Sequence, residues 1–100
     1  MMKEVEWLEE ALQDLKEIGQ FIATDDPQAA YRVLTKIETS VQSLEHHPQL
    51  GRPGRVPKTR ELIIPGLPFI VPYYLKQHKI RILAVMHTAR KWPDEFTNLQ

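Results

Sequence analysis

Apolar and polar residues change their spacing along this chain, and the changes mark out elements. Val5 and Trp7 alternate with Lys3, Glu4 and Glu6, the period-two pattern of a short first strand. From Leu8 the period lengthens. Leu8, Leu12, Leu15, Ile18, Phe21 and Ile22 recur at three- and four-residue steps, the stripe of an amphipathic helix. Its acids crowd the first half, where the helix dipole favours negative charge. Thr24-Asp25-Asp26-Pro27 stops this helix and starts another, with Asp26 as N-cap and Pro27 at the first helical position. Ala30, Val33, Leu34, Ile37, Val41 and Leu44 form the second stripe, which ends at His47-Pro48. The short link predicts an antiparallel helical hairpin.

Residues 48–57 read as a loop, punctuated by Pro48, Gly51, Pro53, Gly54 and Pro57. Three strand-like runs follow: Thr59 to Ile64, Phe69 to Leu75 and Lys79 to Met86. Pro65-Gly66-Leu67-Pro68 and Gln77-His78 are the reversals between them, so the runs predict an antiparallel meander. The order is β-α-α-β-β-β, an α+β fold in one domain spanning residues 1–100. Pro72 interrupts the middle run. It cannot donate to a ladder, so it demands either an edge strand or a bulge. Strand 1 is expected to join the same sheet, with its neighbour left open.

Composition narrows the function classes. There is no cysteine, hence no disulfide framework, thiolate chemistry or Cys-based metal site. The apolar runs fall far short of the roughly 18 residues of a membrane span. The start, Met1-Met2-Lys3-Glu4, lacks a secretory apolar region, so a cytoplasmic protein is expected. Net charge is zero but segregated. Residues 1–50 carry four basic against ten acidic groups, a net of −6; residues 51–100 carry nine against three, a net of +6. A basic half draws phosphates or an acidic partner, unless the two halves neutralise one another across the fold.

The chemistry-bearing residues gather late. The last apolar run ends in His87, Arg90, Lys91 and Trp92. His87 is either a general acid or base, or a polar stop that hydrogen-bonds backbone. Arg60, Arg81 and Arg90 could converge as a phosphate clamp, or be solvated cations in surface ion pairs. Trp92, Tyr73 and Tyr74 offer stacking faces or core lids. His46-His47 has no spaced partner for a metal and suits a helix C-terminus. No phosphate-cradling glycine loop, nucleophile elbow or zinc spacing occurs, and no cofactor is expected.

Taken together, the element order, Leu15…Ile18…Phe21-Ile22, His47-Pro48…Gly51-Arg52, Arg60-Glu61-Leu62, Val71-Pro72-Tyr73 and Ile82-Leu83…Val85…His87…Arg90…Trp92 resemble the RelE/ParE superfamily of type II toxins. The resemblance implies a small cytoplasmic toxin of a plasmid-stabilisation or growth-tuning system. Its partner would be a cognate antitoxin, and DNA would be contacted only through the antitoxin complex. RelE-like members cut mRNA on the ribosome and carry an Arg on the middle meander strand. Here that strand has no basic residue before Lys76. Losing one such donor forfeits about 3 kcal/mol of transition-state stabilisation. The chain therefore looks nearer to ParE-like members, which poison DNA gyrase. On that resemblance Arg60, Arg81, His87, Arg90 and Trp92 are target-binding residues. In the endonuclease alternative His87 is acid or base, and Arg90, Arg60 and Lys58 hold phosphate. Whether the protein is an enzyme stays open at this point, with binding favoured.

Overall fold

The computed structural model describes residues 2–88. Strand β1 (Glu4–Trp7) leads into helices α1 (Glu9–Ala23) and α2 (Pro27–Gln42), the latter extended by a 3-10 turn at Ser43–Glu45. Strands β2 (Arg52–Pro53), β3 (Thr59–Ile63), β4 (Phe69–Leu75), β5 (Lys79–Ile82) and β6 (Met86–His87) follow. The predicted α+β order stands: a first strand, a helical hairpin, then antiparallel strands. None of the described helices is long and apolar enough to cross a membrane.

The cap at α2 forms as its residue types dictate. Asp26 has extended dihedrals, and its Oδ1 accepts from the amides of Gln28 and Ala29, both at 3.1 Å. In α1 the buried line runs through Ala11, Leu15, Ile18, Gly19 and Ile22, rotated from the predicted stripe. Leu12 and Phe21 are instead exposed, Phe21 by 80%. Gly19 lets the helices approach closely: a Cβ there would lie 2.7 Å from Leu34 Cδ1.

The strands form one mixed sheet in the order β1-β5-β4-β3-β2. The meander is antiparallel, while β1 lies parallel to β5 with Val5 opposite Ile80 and Trp7 opposite Ile82. Proline-rich residues 48–57 supply an unforeseen edge strand, β2, antiparallel to β3. The side chains of Leu62, Ile64, Val71, Tyr73, Ile80 and Ile82 meet Ala11, Ile37, Val41 and Leu44 of the helical segment. Val56, Ile70, Tyr74, Leu83, Ala84 and Met86 form a second cluster, which takes in alternate residues of β4 and therefore lies on its other face. Both faces of β4 are thus covered.

Pro72 sits on this internal strand and marks a bulge. The predicted run Lys79 to Met86 is consequently two strands rather than one. Between the pairs Tyr73–Ile82 and Ile70–Met86, two residues of β4 oppose three: Leu83, Ala84 and Val85. Leu83 N–H donates to Pro72 O at 2.9 Å, and proline has no amide to return the bond. The displaced Val85 amide turns to helix α1 and donates to Asp14 Oδ2 at 3.0 Å.

Candidate functional site

Pairing fixes which face each charged side chain uses. Arg60 lies opposite Tyr73 on the face that packs the helices. Its Nη1 donates to Gly51 O at 2.6 Å and reaches Gln49 O at 3.4 Å. Tyr73, fully buried, donates its hydroxyl hydrogen to Pro48 O at 2.8 Å and accepts from Gly51 N–H at 2.9 Å. Together they clamp the Pro48–Gly51 turn. Burial raises the Tyr73 pKa; the Gly51 hydrogen bond and the Arg60 charge oppose that rise. Gly51 is needed for this approach, because a Cβ there would lie 2.8 Å from Glu61 O.

The opposite face carries cross-strand ion pairs. Arg52 Nε sits 2.8 Å from Glu61 Oε1, Arg81 Nε 3.1 Å from Glu6 Oε1, and Lys79 Nζ 3.9 Å from Glu4 Oε1. Arg81 is therefore matched by a carboxylate from β1. It stands opposite Tyr74, on the reverse face from Arg60, so the two guanidiniums do not converge.

His87 lies opposite Phe69, with ring centroids 6.0 Å apart and planes at 80°, an edge-to-face contact. Arg60 faces Tyr73, four residues further along β4, which is about 13 Å of strand. Lys58 is more distant still. Its carbonyl accepts from Leu75 N–H at 3.0 Å, at the far end of β4, about 20 Å from the Phe69 end. Lys58 also adopts φ 70°, a left-handed conformation that costs a side-chain-bearing residue about 1–2 kcal/mol. Arg90 and Trp92, with Lys91 between them, lie outside the described residues.

At the same end of the sheet, but on the Ile70 face rather than the Phe69 face that His87 uses, Arg52, Arg55, Gly54, Glu61, Ile70 and Thr88 line a polar cleft of about 310 Å³. Arg55 makes no ion pair among the described residues, whereas Arg52 is held by Glu61. Sequence reasoning passed over Arg52 and Arg55 as loop residues. Their signal was two arginines flanking Pro53-Gly54, a stretch that folds back onto a strand. No group of three or more His, Asp or Glu side chains among the described residues is placed to hold a metal ion.

Comparison with known proteins places this architecture. Residues 5–92 match the family profile described as ParE toxin of type II toxin-antitoxin system, parDE. The candidate toxin Y4kP of Sinorhizobium fredii is 45% identical over 92 residues, covering 92% of this chain and 95% of that protein. Toxin RelE2 of Caulobacter vibrioides is 30% identical over 89 residues, covering 89% and 99%. A solved structure of the chromosomal ParDE TA system from P. aeruginosa superposes with a TM-score of 0.77 at 28% identity, covering 86% of this chain and 96% of that one. A mixed sheet backed by a helical hairpin, over nearly the whole length, is common ground with a ParE fold, and the chain belongs to the ParE toxin family of type II toxin–antitoxin systems.

Proposed function

We propose that this toxin arrests growth in the cytoplasm by binding DNA gyrase rather than by cutting RNA, and so serves plasmid stabilisation. Family membership implies a cognate antitoxin; the gyrase target is the further step. The observation that carries it is the dispersal of the groups a nuclease would need. His87 and Lys58 lie at opposite ends of β4, Arg60 is committed to the Gly51 carbonyl, and Arg81 faces the other way against Glu6. General acid–base chemistry needs its partners within hydrogen-bond reach of one phosphate, about 3 Å, not spread over about 20 Å. Side chains spread over a sheet suit contact with a large partner, to which His87 or Arg81 would contribute, each from its own face, while Arg60 holds the neighbouring loop; Arg90 and Trp92, expected as further contacts, lie outside the described residues.

Ribosome-dependent mRNA cleavage is the second reading. It draws on the cleft of Arg52, Arg55 and Thr88 at the His87 end of the sheet, where a phosphate would meet Arg55 beside the Arg52–Glu61 pair, and on the likeness to a toxin named RelE2. One experiment separates the readings: induce the protein without an antitoxin and follow DNA and RNA together. Gyrase poisoning gives DNA breaks trapped with gyrase, an SOS response and filaments, while mRNA stays intact. Early translation arrest with cuts in ribosome-bound mRNA gives the nuclease instead. Unimpaired growth removes both.

A further inference from the structure

At the end of β4 remote from His87, Lys3, Lys58, Lys76 and Lys79 line an open groove of about 720 Å³, floored in part by Tyr74 and Leu75. The lysines come from three separate parts of the chain, so their gathering is a product of the fold. Lys3 Nζ donates to the carbonyls of Lys76 and Gln77 at 3.0 and 3.1 Å, tying the chain ahead of β1 to the β4–β5 turn. Lys79 has only a loose partner, Glu4 at 3.9 Å, and both side chains are largely solvated. Lys58 and Lys76 have no ion pair among the described residues. Elsewhere among the described residues the sheet matches Arg52 and Arg81 with carboxylates and leaves Arg55 as a single unmatched cation at the far end, whereas four lysines gather here. Lys58 reaches the groove from a left-handed backbone that its neighbours hold in place, the kind of local strain that clusters at binding positions.

We propose that this groove seats an extended acidic segment of a partner protein. The toxin–antitoxin assignment supplies a source, an antitoxin chain, and the proposal rests on that assignment for the source alone. Four lysines against one carboxylate attract a run of Asp or Glu. The half-buried Leu75 and the aliphatic lysine stems accept apolar side chains interleaved with the acids. A nucleic acid fits less well. Tyr74 is only 9% exposed and offers no face for a base to stack on. The groove contains lysines but no arginine fork for bidentate phosphate contacts. The chain as a whole is neutral, with Glu9 and Glu10 opening α1, so a long uniform polyanion gains no general attraction.

The test titrates the full-length protein into a fluorescein-labelled peptide of about 12 residues built from Glu-Glu-Leu repeats, and reads anisotropy at about 0.05 and about 0.5 M NaCl. A labelled thymidine oligonucleotide of equal length is the rival probe. Lys58→Gly and Lys76→Glu together should weaken peptide binding by about tenfold or more, and the higher salt should do the same. Lys16→Glu and Lys36→Glu, on the helices, should change it by less than about twofold. Glycine is at ease at φ 70°, so Lys58→Gly should keep its unfolding midpoint, and a binding loss then belongs to the missing charge. Equal losses from the helix variants, no saturable peptide binding, or tighter groove-dependent binding of the oligonucleotide would each overturn the proposal. The assay involves neither toxicity nor gyrase, so its failure is distinct from failure of the target reading.

Discussion

Tyr73→Phe removes one oxygen from the centre of the fold, and its cost can be worked from the contacts. The hydroxyl accepts from the buried Gly51 amide and donates to Pro48 O. Phenylalanine fills the same volume, so no cavity term enters. The Gly51 N–H is left without its acceptor in a place water does not reach, at about 1–3 kcal/mol. Pro48 is only half-buried, so its carbonyl can turn to solvent and adds little. Arg60 still grips Gly51 O and limits the damage. The expected loss is about 2 kcal/mol, read as a shift in the urea midpoint at unchanged slope. Tyr74→Phe is the control on the opposite face and should cost well under 1 kcal/mol. Alkali supplies a second readout. The folded Tyr73 pKa is raised, mainly by burial, so the folded state favours the protonated phenol. That contribution is fully present below the unfolded tyrosine pKa of about 10 and is lost as pH rises from there through the folded pKa. The wild type should therefore lose stability above about pH 10 faster than Tyr73→Phe. If Tyr73→Phe is as stable as the wild type and the two alkaline curves run parallel, the hydroxyl does not hold the turn.

Two further substitutions probe the local devices. Asp14→Ala strips the bulge amide of Val85 of its acceptor and should cost about 2 kcal/mol, with faster hydrogen exchange at Val85 seen by NMR. Asp26→Ala removes the α2 cap and should cost about 1 kcal/mol, whereas Asp26→Asn should restore most of it; thermal unfolding of the pair decides.

Local rules carried the reading as far as local rules reach. The helices, the Asp26-Pro27 junction and the meander follow from period, capping and turn residues within a few positions of one another. Pro72 announced a bulge or an edge by what it lacks, and its internal place between β3 and β5 decided for the bulge. The break at Leu83–Val85 was hidden because those residues are all apolar and none is a breaker; the interruption is imposed from across the sheet. The parallel partner of β1 was hidden too, since nothing near Val5 encodes Ile80. Leu12 and Phe21 joined the predicted stripe because the apolar residues of α1 outnumber its buried positions. At the site, the period-two alternation of β5 alone is enough to put Arg81 with Lys79 and away from Ile80 and Ile82. The duty of Arg60 depends on carbonyls nine or more residues away, set by the fold of a loop that periodicity does not describe.

The parallel pairing of β1 with β5 bears on how this chain is made. The first strand emerges from the ribosome long before its partner, with which it pairs from Glu4–Lys79 to Trp7–Ile82. Until then Val5 and Trp7 have no strand to lie against, and the sheet has no complete edge on that side. Contacts of such sequence separation are slow to form and keep apolar surface open while they wait. Folding is thus deferred until β5 has been made, and a nascent or truncated chain ending before Lys79 should be harmless. For a cell that makes a toxin of this family, that delay is a window in which an antitoxin already present can meet the toxin as its sheet closes.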